Sequence, residues 1–239
     1  MNIILLCAGS LIATTLAWLY LSVQEELKMA NGSEEISSRE SEVMTADARA
    51  KKLGLRPTGK RMLFLGLMLA VLCAMSVMLV RVYESNTLIA NGKLITLVSL
   101  LFVAANIDAR QKIIPNAIVL AGLVFRIIFW IAELITVPDA FWGIMKNDLA
   151  ACLLVVIFFV IGVLLVKGGI GMGDIKLMLV MCLFQGFYGV ISSLFCSLFA
   201  AFIYAIIVLL TRKKTRKDTI AFAPAILVGT ILSVFLTGM

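Results

Sequence analysis

A glycine-rich turn that ends in a carboxylate is the part of this sequence best suited to chemistry. The stretch Gly168–Asp174 joins two long apolar runs and contains four glycines. Glycines allow left-handed or tightly turned backbone, and they let another segment approach closely. An acid at the edge of an apolar run is costly to desolvate, so Asp174 needs either a helix-capping or a functional role.

The composition places this turn in a membrane protein. The chain has 239 residues, 62% of them hydrophobic, and a mean hydropathy of +1.08. Apolar runs of about twenty residues, the length of a transmembrane helix, recur along the chain. They predict an all-α polytopic membrane protein with no nucleic-acid partner. We predict about eight transmembrane helices, at residues 2–23, 62–82, 88–107, 117–137, 149–166, 174–189, 190–210 and 220–238.

The spans divide into two predicted domains. Residues 1–87 would hold two N-terminal spans around a charged loop at 24–61, and residues 88–239 would form a six-helix core. The first apolar run has neither the basic start nor the Ala-x-Ala site of a secretory signal, so we interpret it as a retained span. Residues 138–148 are predicted as a polar loop. The run 174–189 is short, about 24 Å as a helix against about 30 Å of hydrocarbon, which favours a thinned boundary at Asp174.

The distribution of basic residues predicts the orientation. Four segments that would share one side contain 17 of the 21 Lys and Arg residues: 24–61, 108–116, 167–176 and 211–219. The positive-inside rule then puts these segments in the cytoplasm and both termini outside a plasma (inner) membrane. On this topology Asp108 and Asp174 both lie at the cytoplasmic boundary.

The residue types exclude several reaction classes. The chain has no histidine, which removes Ser-His and Cys-His pairs and the His-Glu-x-x-His zinc motif. Its five cysteines contain no Cys-x-x-Cys pair, so we predict buried thiols, no disulfide, no metal and no cofactor: Cys7, Cys73, Cys152, Cys182 and Cys196. Carboxylates are the remaining catalytic groups.

Two carboxylates brought together at a membrane boundary cannot both ionise cheaply, so they would share one proton. One could then draw a proton from water while the other donates to a scissile carbonyl oxygen, as in aspartic proteases. Asp108 and Asp174 are separated along the chain by two predicted spans, so each would be presented by a different helix.

The motifs around both acids resemble those of type IV prepilin peptidases, which are Gly-x-Gly-Asp intramembrane aspartic peptidases. Gly171–Lys176 is similar to the family's Gly-x-Gly-Asp-x-Lys signature, and Asp108 with Ile114–Asn116 is similar to its first aspartate and Ile-Pro-Asn element. The resemblance covers about residues 88–238. It implies Asp108 and Asp174 as catalytic residues, and as motif or substrate-positioning residues Gly171, Gly173, Lys176, Pro115 and Asn116.

The resemblance also implies the substrate. It would be a pilin-like precursor with a short basic leader and then a hydrophobic helix, cut at their junction after a glycine on the cytoplasmic side. Bifunctional family members carry paired Cys-x-x-Cys motifs in a cytoplasmic domain and N-methylate the product. The segment 24–61 has no cysteine, so we expect the short, peptidase-only type. We hypothesise that the acids of this segment attract basic leaders: Glu34, Glu35, Glu40 and Glu42.

Three further residues carry expectations. Arg126 and Glu133 lie seven apart in one span, on one helical face, and are predicted to form a structural pair or to contact buried carbonyls separately. The segment Phe222–Ile226 is weakly similar to the Pro-Ala-Leu element of presenilin-like proteases. We interpret its Pro224 as a helix kink without a catalytic role.

Two other functions fit the buried acids. A small cation- or proton-coupled transporter could use Asp108 and Asp174 as ligands or relays, although midplane acids would be more typical of it. A membrane subunit without chemistry could use both as helix caps. The sequence does not determine the oligomeric state, the particular precursor or the assembly that it serves.

Overall fold

The structure is a computed structural model. It describes residues 6–17, 19–21, 23, 59–83, 86–165, 171–210 and 221–238. All regular secondary structure in these residues is helical, which confirms the predicted all-α polytopic class. Most of the predicted loop 24–61, the basic segment 211–219 and residues 168–170 of the glycine turn lie outside the described residues.

Seven helices run through the described residues: α1 (Leu6–Leu21), α2 (Gly59–Arg81), α3 (Leu88–Gln111), α4 (Asn116–Thr136), α5 (Pro138–Leu165), α6 (Met172–Leu210) and α7 (Ala223–Thr237). Helices α2 to α6 are long and apolar enough to cross a membrane, and α1 and α7 are shorter apolar helices. The division into domains at residue 87 stays a prediction.

Helix α6 is divided by Gly186, whose backbone (φ 66°, ψ −171°) is not helical. That conformation is essentially restricted to glycine. The break separates an arm of about 21 Å, between Met172 and Gly186, from a longer second arm. The predicted spans 174–189 and 190–210 are therefore the two arms of one helix, and the break comes about one turn earlier than predicted.

The predicted polar loop at residues 138–148 is wrong. Helix α5 begins at Pro138 and continues without a break to Leu165. Proline is well suited to the first helical position, and Asp139 in the first turn interacts favourably with the helix dipole. The single glycine of the segment, Gly143, does not interrupt the helix, and the polar residues form the first turns of a long helix.

Helix α3 is the central element, and it contacts α2, α4, α6 and α7. Thr87 caps its start by accepting a hydrogen bond from the Ala90 backbone N–H at 3.2 Å. This helix carries more buried apolar residues than any other helix that the structure describes, including Leu97, Val98 and Leu101, which are almost fully buried. A helix buried on several sides is a rigid support for a residue at its end.

Contacts between connections define two ends of the bundle. At one end, here called the site end, Ile114 packs near Gly173 and the Asp108 side chain meets the backbone of Ala223. At the opposite end, the Asn86 side chain donates a hydrogen bond to the Gly238 carbonyl at 2.9 Å. The segments predicted to share the cytoplasmic side are thus grouped at one end where the structure describes them.

Candidate active site

Asp108 lies in the last turn of α3 and is 5% exposed. The helix ends four residues later at Lys112, whose left-handed backbone (φ 55°) allows its N–H to donate to the Asp108 carbonyl at 2.8 Å. The chain then turns back into α4. Because α3 is packed on several sides, the position of the Asp108 carboxyl group is fixed by the core.

The Asp108 carboxylate meets the start of α7. Its Oδ2 accepts a hydrogen bond from the Ala223 backbone N–H at 2.9 Å. The first N–H groups of a helix have no partner within the helix and favour negative charge. Pro224 lies in the first turn of α7 rather than inside the helix, so the predicted kink is wrong. The segment that contains it is part of the site.

Asp174 lies in the first turn of α6 and is half-buried. Its backbone N–H donates to the Gly171 carbonyl at 3.1 Å, which folds the turn back on the helix start. A side chain on Gly171 would put its Cβ at 3.0 Å from Asp174 Oδ2. The glycine therefore leaves the space that the carboxylate uses.

The two motif segments also contact each other beside the acids. A Cβ on Gly173 would lie 3.2 Å from the Ile114 Cβ, so glycine permits close approach of the α3–α4 turn. Lys176 Nζ donates to Asn116 Oδ1 at 3.0 Å. Pro115 holds an extended conformation immediately before α4. All seven predicted site residues are thus grouped at the site end.

Asp108 and Asp174 lie close enough for their carboxylates to repel each other. Within the described part of the chain, neither forms an ion pair with a Lys or Arg side chain. The burial of Asp108 and the half-burial of Asp174 strengthen this repulsion, because less water screens it. Sharing of one proton between the two acids relieves it.

A second group of charges lies toward the opposite end. Arg126 Nη2 contacts Glu133 Oε2 at 3.1 Å, which confirms the predicted pair, and it also contacts Asp148 Oδ2. Lys93 Nζ lies 2.6 Å from Glu133 Oε1, and Trp130 Nε1 donates to Asp148 Oδ2 at 3.0 Å. We call these five residues the ion network. It links α3, α4 and α5.

Sequence reasoning missed three members of this network and the role of Ala223. Asp148 was assigned to a loop, and Lys93 and Trp130 were not connected with the Arg126–Glu133 pair. The available signal was that a buried Arg and Glu inside one span need further partners. For Ala223, the signal was a proline directly after it at the predicted start of a span, which marks exposed helix N–H groups.

No group of three or more His, Cys, Asp or Glu side chains in the described ranges could hold a metal ion. The two acids at the site end form a pair without a third ligand of these types. Their arrangement suits proton transfer, which requires one protonated and one ionised carboxyl group near a water molecule.

The fold and the site together define a polytopic helical membrane protein in which two acids from different helices lie at one end of the bundle, beside a glycine turn. Residues 95–206 match the model of the type IV leader peptidase family, and this segment contains all seven predicted site residues. The match confirms the resemblance drawn from the motifs over these residues.

A curated relative, the prepilin leader peptidase/N-methyltransferase of Bacillus subtilis (strain 168), is 30% identical over 139 residues. The alignment covers 58% of this chain and 53% of the relative, so the chain spans about half the length of that protein. No solved structure matches the chain.

Proposed function

We propose that this protein is an aspartic endopeptidase that removes the basic leader from pilin-like precursors at a membrane surface. The observation that carries the proposal is the placement of Asp108 and Asp174, on two helices, at the same end of the bundle and within range of each other's charge, without a basic partner among the described residues. The family match and the name of the relative support the same reaction and substrate class.

We assign the base to Asp108. Its Oδ2 accepts a hydrogen bond from the Ala223 backbone N–H, and a hydrogen bond of this kind stabilises the ionised carboxylate. Asp174 would then hold the shared proton. In the first step, Asp108 takes a proton from water, the water oxygen bonds to the scissile carbonyl carbon, and Asp174 donates its proton to the carbonyl oxygen. The tetrahedral intermediate collapses when its C–N bond breaks: the amide nitrogen takes the proton held by Asp108, and one hydroxyl group of the intermediate returns its proton to Asp174.

The membrane arrangement fits such a substrate. An apolar helix would lie in the bilayer, and its basic leader would protrude on the side where both acids lie. The predicted orientation makes that side the cytoplasm of the plasma (inner) membrane and leaves both termini outside. The segment 24–61 contains no cysteine, so we expect peptidase activity without N-methylation of the product.

The test is cleavage of a purified pilin-like precursor by the detergent-solubilised protein. Asp108→Asn and Asp174→Asn should each lower the rate by about 10²–10⁴-fold, because each removes one partner of the proton transfer. Thermal unfolding in the same detergent should change little. Asp139→Asn is the matched control, since Asp139 is an exposed acid at the opposite end of the bundle. Cleavage that survives either substitution at the site end would contradict the proposal.

Chelation separates this reaction from metal-dependent ones. Because no metal takes part in the proposed proton transfers, EDTA should leave the cleavage rate unchanged within about twofold. Loss of activity with EDTA and recovery with a divalent cation would instead indicate an ion held by the two acids. The transporter alternative, which predicts no cleavage at all, is not favoured by the family match.

A further inference from the structure

An apolar groove of about 540 Å³ runs between α4 and α6 and begins at the site. One wall is formed by α4 and the other by α6. The lining residues are Asn116, Ala117, Val119, Leu120, Leu123, Lys176, Leu179 and Val180. The groove therefore shares Asn116 and Lys176 with the motif contact described above. Lys176 is two residues from Asp174 in sequence.

The lining changes from polar to apolar in one direction. Asn116 and Lys176 are each in the first turns of their helices, and both helices run from the site end toward the opposite end. All groove residues further along each helix are apolar. From Asn116 to Leu123 the groove extends about 10 Å, which is two helical turns. An occupant would need an apolar body of that length and a polar end beside Asp174.

The inner side of the groove is closed by tight helix packing. A Cβ on Gly122 would lie 2.5 Å from Val180 Cγ1, so α4 and α6 touch at this glycine. The outer side is open, because the Leu120 side chain is 63% exposed on the surface of a candidate membrane span. The occupant can thus enter sideways from the lipid.

We propose that this groove binds the first two turns of the hydrophobic helix of the precursor and sets the position of the leader junction beside Asp174. This inference rests on the proposed function. Such a helix suits the groove, because the polar end of the groove is continuous with the site and its apolar part runs into the membrane. A helix seated there would have its polar junction at Asn116 and Lys176.

The first experiment reads binding without turnover. A photoreactive amino acid is placed at Leu120 or Leu123 in the Asp174→Asn variant, and crosslinks to a precursor in proteoliposomes are mapped by mass spectrometry. We expect crosslinks to the two helical turns that follow the junction, at least about fivefold above a probe at Ile128. Ile128 is 53% exposed on the same helix, but it lies outside the groove and about 80° around the axis from Leu120.

Two crosslinking outcomes would overturn the inference. Equal crosslinking at Ile128 would show that the precursor contacts α4 without using the groove. Crosslinks from Leu120 and Leu123 to phospholipid alone would show that an acyl chain is the occupant.

The second experiment reads cleavage. Leu123→Trp should fill the groove and raise KM for the full precursor about tenfold, with kcat within about twofold. A soluble peptide that spans the junction but lacks the apolar helix should be cut at an unchanged rate, and Ile128→Trp should affect neither substrate. An equal loss with both substrates would contradict groove binding. If the unsubstituted protein cuts neither substrate, the proposed function fails, whereas the crosslinking pattern still decides whether the groove is used.

Discussion

Acidic side chains at the two ends of the bundle have opposite kinds of neighbours. At the opposite end, Glu133 and Asp148 are almost fully buried and both contact the Arg126 guanidinium. At the site end, Asp108 and Asp174 lie close enough to repel each other, and Asp108 accepts a hydrogen bond from a neutral backbone N–H. Acids paired with bases hold helices together, whereas acids paired with each other retain a proton that can be moved.

This difference distinguishes the motif acids, Asp108 and Asp174, from the acids of the ion network. Both ends contain charged side chains on α3, and both link it to neighbouring helices. In the ion network two bases balance two acids, so loss of one member exposes an uncompensated charge in an apolar region. At the site end a neutral substitution of an acid removes repulsion, so we expect it to lower the cleavage rate and to change the free energy of unfolding little.

The largest stability effect should come from Arg126→Met at the opposite end. The substitution leaves Asp148 without its only cation contact among the described residues and Glu133 with Lys93 alone. Removal of one partner from a buried ion pair costs about 3–5 kcal/mol. Thermal unfolding in detergent measures it, with Asp174→Asn as the comparison at the site end. A smaller shift for Arg126→Met than for Asp174→Asn would reverse the comparison.

A medium effect is expected for Gly186→Ala, also at the opposite end. Alanine would have to adopt the left-handed φ of 66°, and its Cβ would overlap the Asn147 side chain. Such a backbone conformation costs about 1–3 kcal/mol for a residue other than glycine.

The control for this change is Gly66→Ala in α2. Apart from the backbone of its own helix, nothing lies within 4 Å of the position that its Cβ would occupy, so alanine should be neutral or stabilise by up to about 1 kcal/mol. Equal unfolding temperatures for the two variants would show that the break in α6 is not required.

The smallest stability effect should come from Lys176→Met at the site end. The bond from Lys176 Nζ to Asn116 Oδ1 is exposed, so its loss should cost no more than about 1 kcal/mol. A double-mutant cycle with Asn116→Ala isolates the pair, and we expect a coupling energy of about 0.5 kcal/mol. Cleavage should fall by more than the unfolding shift predicts, because this contact aligns the two motif segments. Additive effects on cleavage would contradict that alignment.

The comparison also shows where pattern reasoning stops. The apolar character and order of the helices, and the placement of Asp108 and Asp174 at one end, follow from apolar runs and base counts, because hydrophobic length is a local property. The ion network does not follow from them. Its members are up to 55 residues apart, between Lys93 and Asp148, and only the packing of three helices decides which buried charges meet.

The sequence alone determined the structural class of the protein, and it predicts the two acids and the motif residues around them, because turns, glycines and charge bias are encoded in short stretches. The tertiary structure alone decided that α5 begins at Pro138, that Gly186 divides α6, and that the N–H of Ala223 reaches Asp108. Each of these depends on which helices pack side by side. Long-range packing sets the partner of a buried polar group, and no local spacing specifies it.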